Sequence, residues 1–76
     1  MFGKKKVKYV GRIHLDVVKS ETVKMKPGDE FEVFATNISK DAFDKRIEEL
    51  AYQCSLTIVS NTSVNHGEFI SKLRRV

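Results

Sequence analysis

A chain of 76 residues with one cysteine, Cys54, and a net charge of +4 has room for one domain over residues 1–76 and no disulfide or zinc-type Cys/His cluster to staple it. With 41% hydrophobic and 32% charged residues it reads as a soluble globular domain. It lacks the apolar run of a signal peptide or a membrane span, which points to the cytoplasm and away from a membrane partner.

The charge is spread unevenly. Residues 1–26 carry eight Lys/Arg against Asp16 and Glu21, residues 27–53 carry three against seven acids, and residues 54–76 carry three against Glu68. Cationic ends around an anionic middle suggest a polyanionic partner for one side of the fold. Ordinary solvated lysines are the competing explanation.

Residues 1–5 read as a flexible basic N-terminus that includes Lys4 and Lys5. From Val7 to Val17 every odd position is apolar or glycine, while Lys6, Lys8, Arg12 and His14 hold even positions beside Val10. Strand side chains alternate between faces, so a long half-buried strand is expected from about Lys6 to Val18, with a basic outer face. Gly11 inside it marks a possible bulge or bend. Parity assigns Tyr9 to the core side.

Lys19-Ser20-Glu21 reads as a polar break. Thr22 to Lys26 then reads as a second strand, with Val23 and Met25 inward and Lys24 and Lys26 outward. Pro27-Gly28-Asp29 is the strongest turn signal, since proline presets φ and glycine accepts positive φ. A three-residue loop there predicts a hairpin that pairs Lys26 with Glu30, Lys24 with Glu32, Met25 with Phe31 and Val23 with Val33.

Ser39 is the expected N-cap of a helix over about Lys40 to Gln53. Asp41 and Asp44 suit its positive end, and Phe43, Ile47, Leu50, Ala51 and Cys54 form one apolar stripe. Leu56 to Ser60 is β-branched and reads as a strand, followed by a polar loop from Asn61 to Gly67. The last segment, Glu68 to Val76, reads as a strand in a hairpin with Leu56–Ser60. A short helix capped by Asn65 is the alternative. The expected fold is α+β: a small antiparallel sheet of order β-β-β-α-β-β with one amphipathic helix on one face.

Catalysis needs a nucleophile, a base and an orienting group in one pocket. His14 and His66 are isolated, Cys54 falls on the buried stripe, and the acids of the helix sit among Lys40, Lys45 and Arg46. No metal-ligand spacing or phosphate-cradling glycine loop occurs. The expectation is therefore a non-enzyme with no cofactor and no metal.

A basic sheet face remains as the candidate surface. Its members are Lys6, Lys8, Arg12, His14, Lys24 and Lys26, flanked by Lys4, Lys5, Arg74 and Arg75, with Val10 and Phe34 as stacking or interface residues. The first reading is a binding module for nucleic acid or another polyanion, held by phosphate contacts. The alternative is a protein-interaction or regulatory module whose basic face meets an acidic protein, or whose exposed apolar residues meet a second copy in a homodimer.

Overall fold

The apolar pattern changes period at Leu15, and the change decides the architecture. From Lys8 to His14 the chain is extended. Beyond it, Leu15, Val18 and Thr22 are the buried residues, at the spacing of a helical face rather than a strand. His14 makes the switch locally: its Nδ1 accepts the N–H of Asp16 at 3.0 Å, which caps a 3₁₀ turn over Leu15–Val17.

A computed structural model describes residues 8–65 and 68–76. It contains strand β1 (Lys8–His14), the 3₁₀ turn, helix α1 (Val18–Thr22), strand β2 (Asp29–Thr36), helix α2 (Lys40–Cys54), strand β3 (Leu56–Asn65) and strand β4 (Glu68–Arg75). The strands lie in the order β1-β2-β4-β3. β1 runs parallel to β2, whereas β2–β4 and β4–β3 are antiparallel. The class is α+β as expected, but the sheet is mixed rather than antiparallel and two helices rather than one accompany it. The order is β-α-β-α-β-β rather than β-β-β-α-β-β, because the segment after His14 folds as a helix and carries the chain across to a parallel strand.

Two expectations fail at the first crossover. The first strand ends at His14 rather than Val18, and Thr22 to Lys26 forms no strand. The Pro27 turn exists, but its role differs. Asp29 N–H donates to Lys26 O at 3.0 Å and Gly28 has φ 95°, the geometry of a type II turn with proline at its second position. It leads from α1 into β2 instead of closing a hairpin, so Lys24 and Lys26 never face Glu32 and Glu30. Asp29 secures the turn by accepting Lys26 N–H on Oδ2 at 3.0 Å, and Gly28 N–H reaches Arg75 O at 2.8 Å.

The second half follows its local signals closely. Ser39 Oγ accepts Ala42 N–H at 3.1 Å at the start of α2. Phe43, Ile47 and Leu50 are its buried residues. Ser55, in the left-handed conformation at φ 57°, ends it with a bond from its N–H to Ala51 O. The tail is a strand, not a helix, and it pairs with β3 as a hairpin. β3 continues to Asn65, through much of the segment expected to be loop.

Phe31, Val33 and Ala35 of β2 and Leu73 of β4 share one core with Leu15, Val18, Phe43, Ile47, Leu50 and Leu56. Both helices therefore pack on that side of the sheet. Each large side chain fully buried there contributes roughly 1.5–3 kcal/mol. Ser71 is also fully buried, and its hydroxyl lies within hydrogen-bond reach of two acceptors, Ser60 O at 3.2 Å and Asn61 Oδ1. No described element covers the opposite face.

Candidate binding face

The uncovered face is organised by one extra residue in β1. Tyr9 is in register with Glu30 and Arg12 with Glu32, so three steps along β1 match two along β2. Gly11, at φ 123°, absorbs the difference as a β-bulge, in a conformation that suits glycine. A bulge inverts the alternation, and Tyr9 and Arg12 consequently stand on the same side. Tyr9 thus leaves the core side assigned by parity and is 54% exposed.

Two glutamates of β2 anchor this face. Glu32 Oε1 accepts Tyr9 OH at 2.9 Å and Arg12 Nε and Nη2 at 3.3 and 3.2 Å. Glu30 Oε2 accepts Arg74 Nε and Nη2 at 3.0 and 2.7 Å. Lys72 Nζ lies 3.5 Å from Glu30 Oε1. Antiparallel pairing explains the second group, because Arg74 and Lys72 are in register with Glu30 and Glu32 on β4.

These contacts shift two titrations. Hydrogen bonds from Arg74 hold the Glu30 carboxyl below its usual range, with the charges of Lys72 and Arg74 adding to the effect against the opposing cost of burial. The hydrogen bond to Glu32 raises the Tyr9 phenol, helped by partial desolvation and the Glu32 charge and opposed by Arg12. Further along, His14 meets Phe34 edge to face, with ring centroids 5.1 Å apart. Arg12, Phe34, Thr36 and Ile70 line a cleft of about 300 Å³ at that end.

The residues expected from sequence divide into three groups. Arg12, His14, Phe34 and Arg74 lie on the uncovered face. Lys8, in register with Asp29, points to the opposite side from Tyr9. Val10 is 39% exposed within the bulge. Lys24 and Lys26 belong to the α1–β2 connection, where Lys24 Nζ lies 3.8 Å from Glu21.

Arg75 turns to the helix side, where its Nη1 donates to Met25 O at 3.1 Å and to Thr22 O. Lys4, Lys5 and Lys6 fall outside the described residues, as does His66. Cys54 is half-buried beside a cleft rather than sealed in the core.

Tyr9 and Lys72 were missed as members of the face. Their signals were present: Gly11 as a bulge marker, and the alternation of Lys72 with Arg74. Among the described residues no group of His, Cys, Asp or Glu is arranged to hold a metal ion. No helix among the described residues is long and apolar enough to cross a membrane. No family model matches the chain, and searches against curated proteins and solved structures return no significant match.

Proposed function

We propose that this chain is a non-catalytic, cytoplasmic binding module that takes single-stranded nucleic acid on its uncovered sheet face. One observation carries the reading: the rings of Tyr9, His14 and Phe34 share that face with Arg12, Lys72 and Arg74. Bases stack on aromatic side chains irrespective of sequence, and cations between the rings meet the phosphates.

Glu30 and Glu32 temper the interaction without removing it. Each carboxylate grips the Nε and Nη2 atoms of its arginine, which leaves Nη1 to donate elsewhere. The glutamates thus orient the guanidinium groups and lower the net charge of the face. Modest affinity with a shallow salt dependence follows. Lys4, Lys5 and Lys6, immediately upstream of β1, add sequence-independent attraction.

A second reading rests on the sheet edge. β1 is an outer strand with Tyr9 and Val10 exposed, features that also suit an acidic protein surface or a second copy. Titrating a single-stranded oligonucleotide into the wild type and Phe34→Ala separates the two. The nucleic-acid reading expects a loss of about 1–3 kcal/mol of binding with oligomeric state unchanged. Undiminished affinity in the variant, or none in the wild type at low salt, refutes it. Dissociation of an oligomer supports the second reading.

A further inference from the structure

The uncovered face changes character along its strands. Its polar rows, built from Tyr9, Arg12, Glu30, Glu32, Lys72 and Arg74, lie toward one end. Toward the other end Phe34 is in register with Ile70, and His14 stands against the Phe34 ring. The cleft of about 300 Å³ opens over that apolar pair, a volume at the lower end of those that hold small ligands.

Among the described residues two charged side chains line the cleft, and they carry opposite signs: Arg12 and Glu68. The ladder holds them apart. Arg12 is in register with Glu32, two residues before Phe34, and Glu68 is in register with Thr36, two residues after it. Each therefore sits roughly 6–7 Å along the strands from the Phe34–Ile70 pair, on either side of it. Arg12 spends Nε and Nη2 on Glu32, which leaves Nη1 to meet a phosphate. A base stacked on Phe34 turns its edge toward Glu68, and half a ring plus one hydrogen bond spans that step.

A carboxylate only accepts hydrogen bonds. It suits the amino group that cytosine carries where uracil and thymine carry a carbonyl oxygen, and it repels that oxygen. Glu68 already interacts within the fold, but two carboxylate oxygens offer about four acceptor sites, so a base can be served as well.

We propose that this cleft is a base-selecting subsite of the uncovered face, in which Phe34 and Ile70 hold the ring, Arg12 holds the phosphate and Glu68 admits bases that present an exocyclic amino group. The inference rests on the nucleic-acid reading and adds to it. Stacking alone is indifferent to sequence, whereas Glu68 discriminates.

The test is an anisotropy titration of oligodeoxycytidylate and oligodeoxyuridylate of equal length at neutral pH. The two rings are the same size, so stacking is matched and the exchange of amino for carbonyl is isolated. The cytosine strand should bind about tenfold tighter, through a hydrogen bond to a charged group. Glu68→Gln should bring the two affinities within about threefold, because a carboxamide both accepts and donates. Glu49→Gln, on the exposed side of α2, removes the same charge elsewhere and should keep the wild-type ratio. If the Glu68 variant fails to fold, cytosines dimethylated on the exocyclic nitrogen carry the test against the wild type. Such a strand keeps the ring, loses both donors and should bind no tighter than the uracil strand.

Equal wild-type affinity for the two strands overturns the base selection and leaves the nucleic-acid reading standing. A ratio that survives Glu68→Gln, one that falls equally in Glu49→Gln, or undiminished binding of the dimethylated strand overturns the assignment to Glu68 and the proposal with it. Binding of neither strand at low salt refutes the nucleic-acid reading itself.

Discussion

Tyr9 and Arg12 are three residues apart on one strand, yet both donate to the same oxygen, Glu32 Oε1, at 2.9 and 3.2 Å. In a regular strand they would point to opposite faces. The bulge at Gly11 brings them together, and with them an aromatic ring and a guanidinium on one surface. Glu32, on the neighbouring parallel strand, fixes both.

Gly11→Ala should therefore cost stability through the backbone alone. A Cβ at this position meets nothing within 4 Å, so crowding is not the issue, but φ of 123° is strained for any L side chain. A loss of about 1–3 kcal/mol is expected in urea unfolding. A variant as stable as the wild type would mean that the bulge does not need glycine.

Tyr9 should titrate above the ordinary phenol value of about 10, because its O–H donates to an ionised carboxylate. A group raised in the folded state contributes stability that is full below the unfolded value and lost as pH rises through the folded one. Absorbance titration in a Tyr52→Phe background isolates Tyr9. Adding Glu32→Gln should bring the midpoint down, and an unmoved midpoint would break the assigned contact.

Glu30 works in the opposite direction. Its carboxyl is lowered by Arg74 first and then Lys72, so its contribution is present above the unfolded value near 4.5 and lost as pH falls through the folded one. Glu30→Gln should flatten the acid limb of the stability curve. Arg74→Ala leaves a buried carboxylate with only Lys72 beside it and should cost about 1–3 kcal/mol. If neither variant alters acid unfolding, the pairing is not energetically significant.

Two adjacent valines test where the first strand ends. Val18 is fully buried and Val17 is 42% exposed, the reverse of what a strand reaching Val18 predicts. Val18→Ala should destabilise by about 1–3 kcal/mol, with Val17→Ala within about 0.5 kcal/mol of the wild type. Ile47→Ala, in the buried stripe of α2, should cost about 2–5 kcal/mol. Thermal unfolding of the three proteins, compared side by side, gives the order.

What the sequence determined on its own was local. The stripe Phe43–Ile47–Leu50, the Ser39 cap, the turn at Pro27-Gly28 and the alternation through Leu73 and Arg74 each depend on neighbours a few residues away, and each was legible. Only the tertiary structure decided which segments pair. The Pro27 turn looks the same whether it closes a hairpin or delivers the chain from α1 into a strand parallel to β1. Glu30 lies four residues from Lys26, yet it finds Arg74, 44 positions away, because β4 rather than Thr22–Lys26 lies beside β2. Alternation specifies two faces but not the neighbour across the ladder, and a single extra residue at Gly11 exchanges the faces of Lys8 and Tyr9.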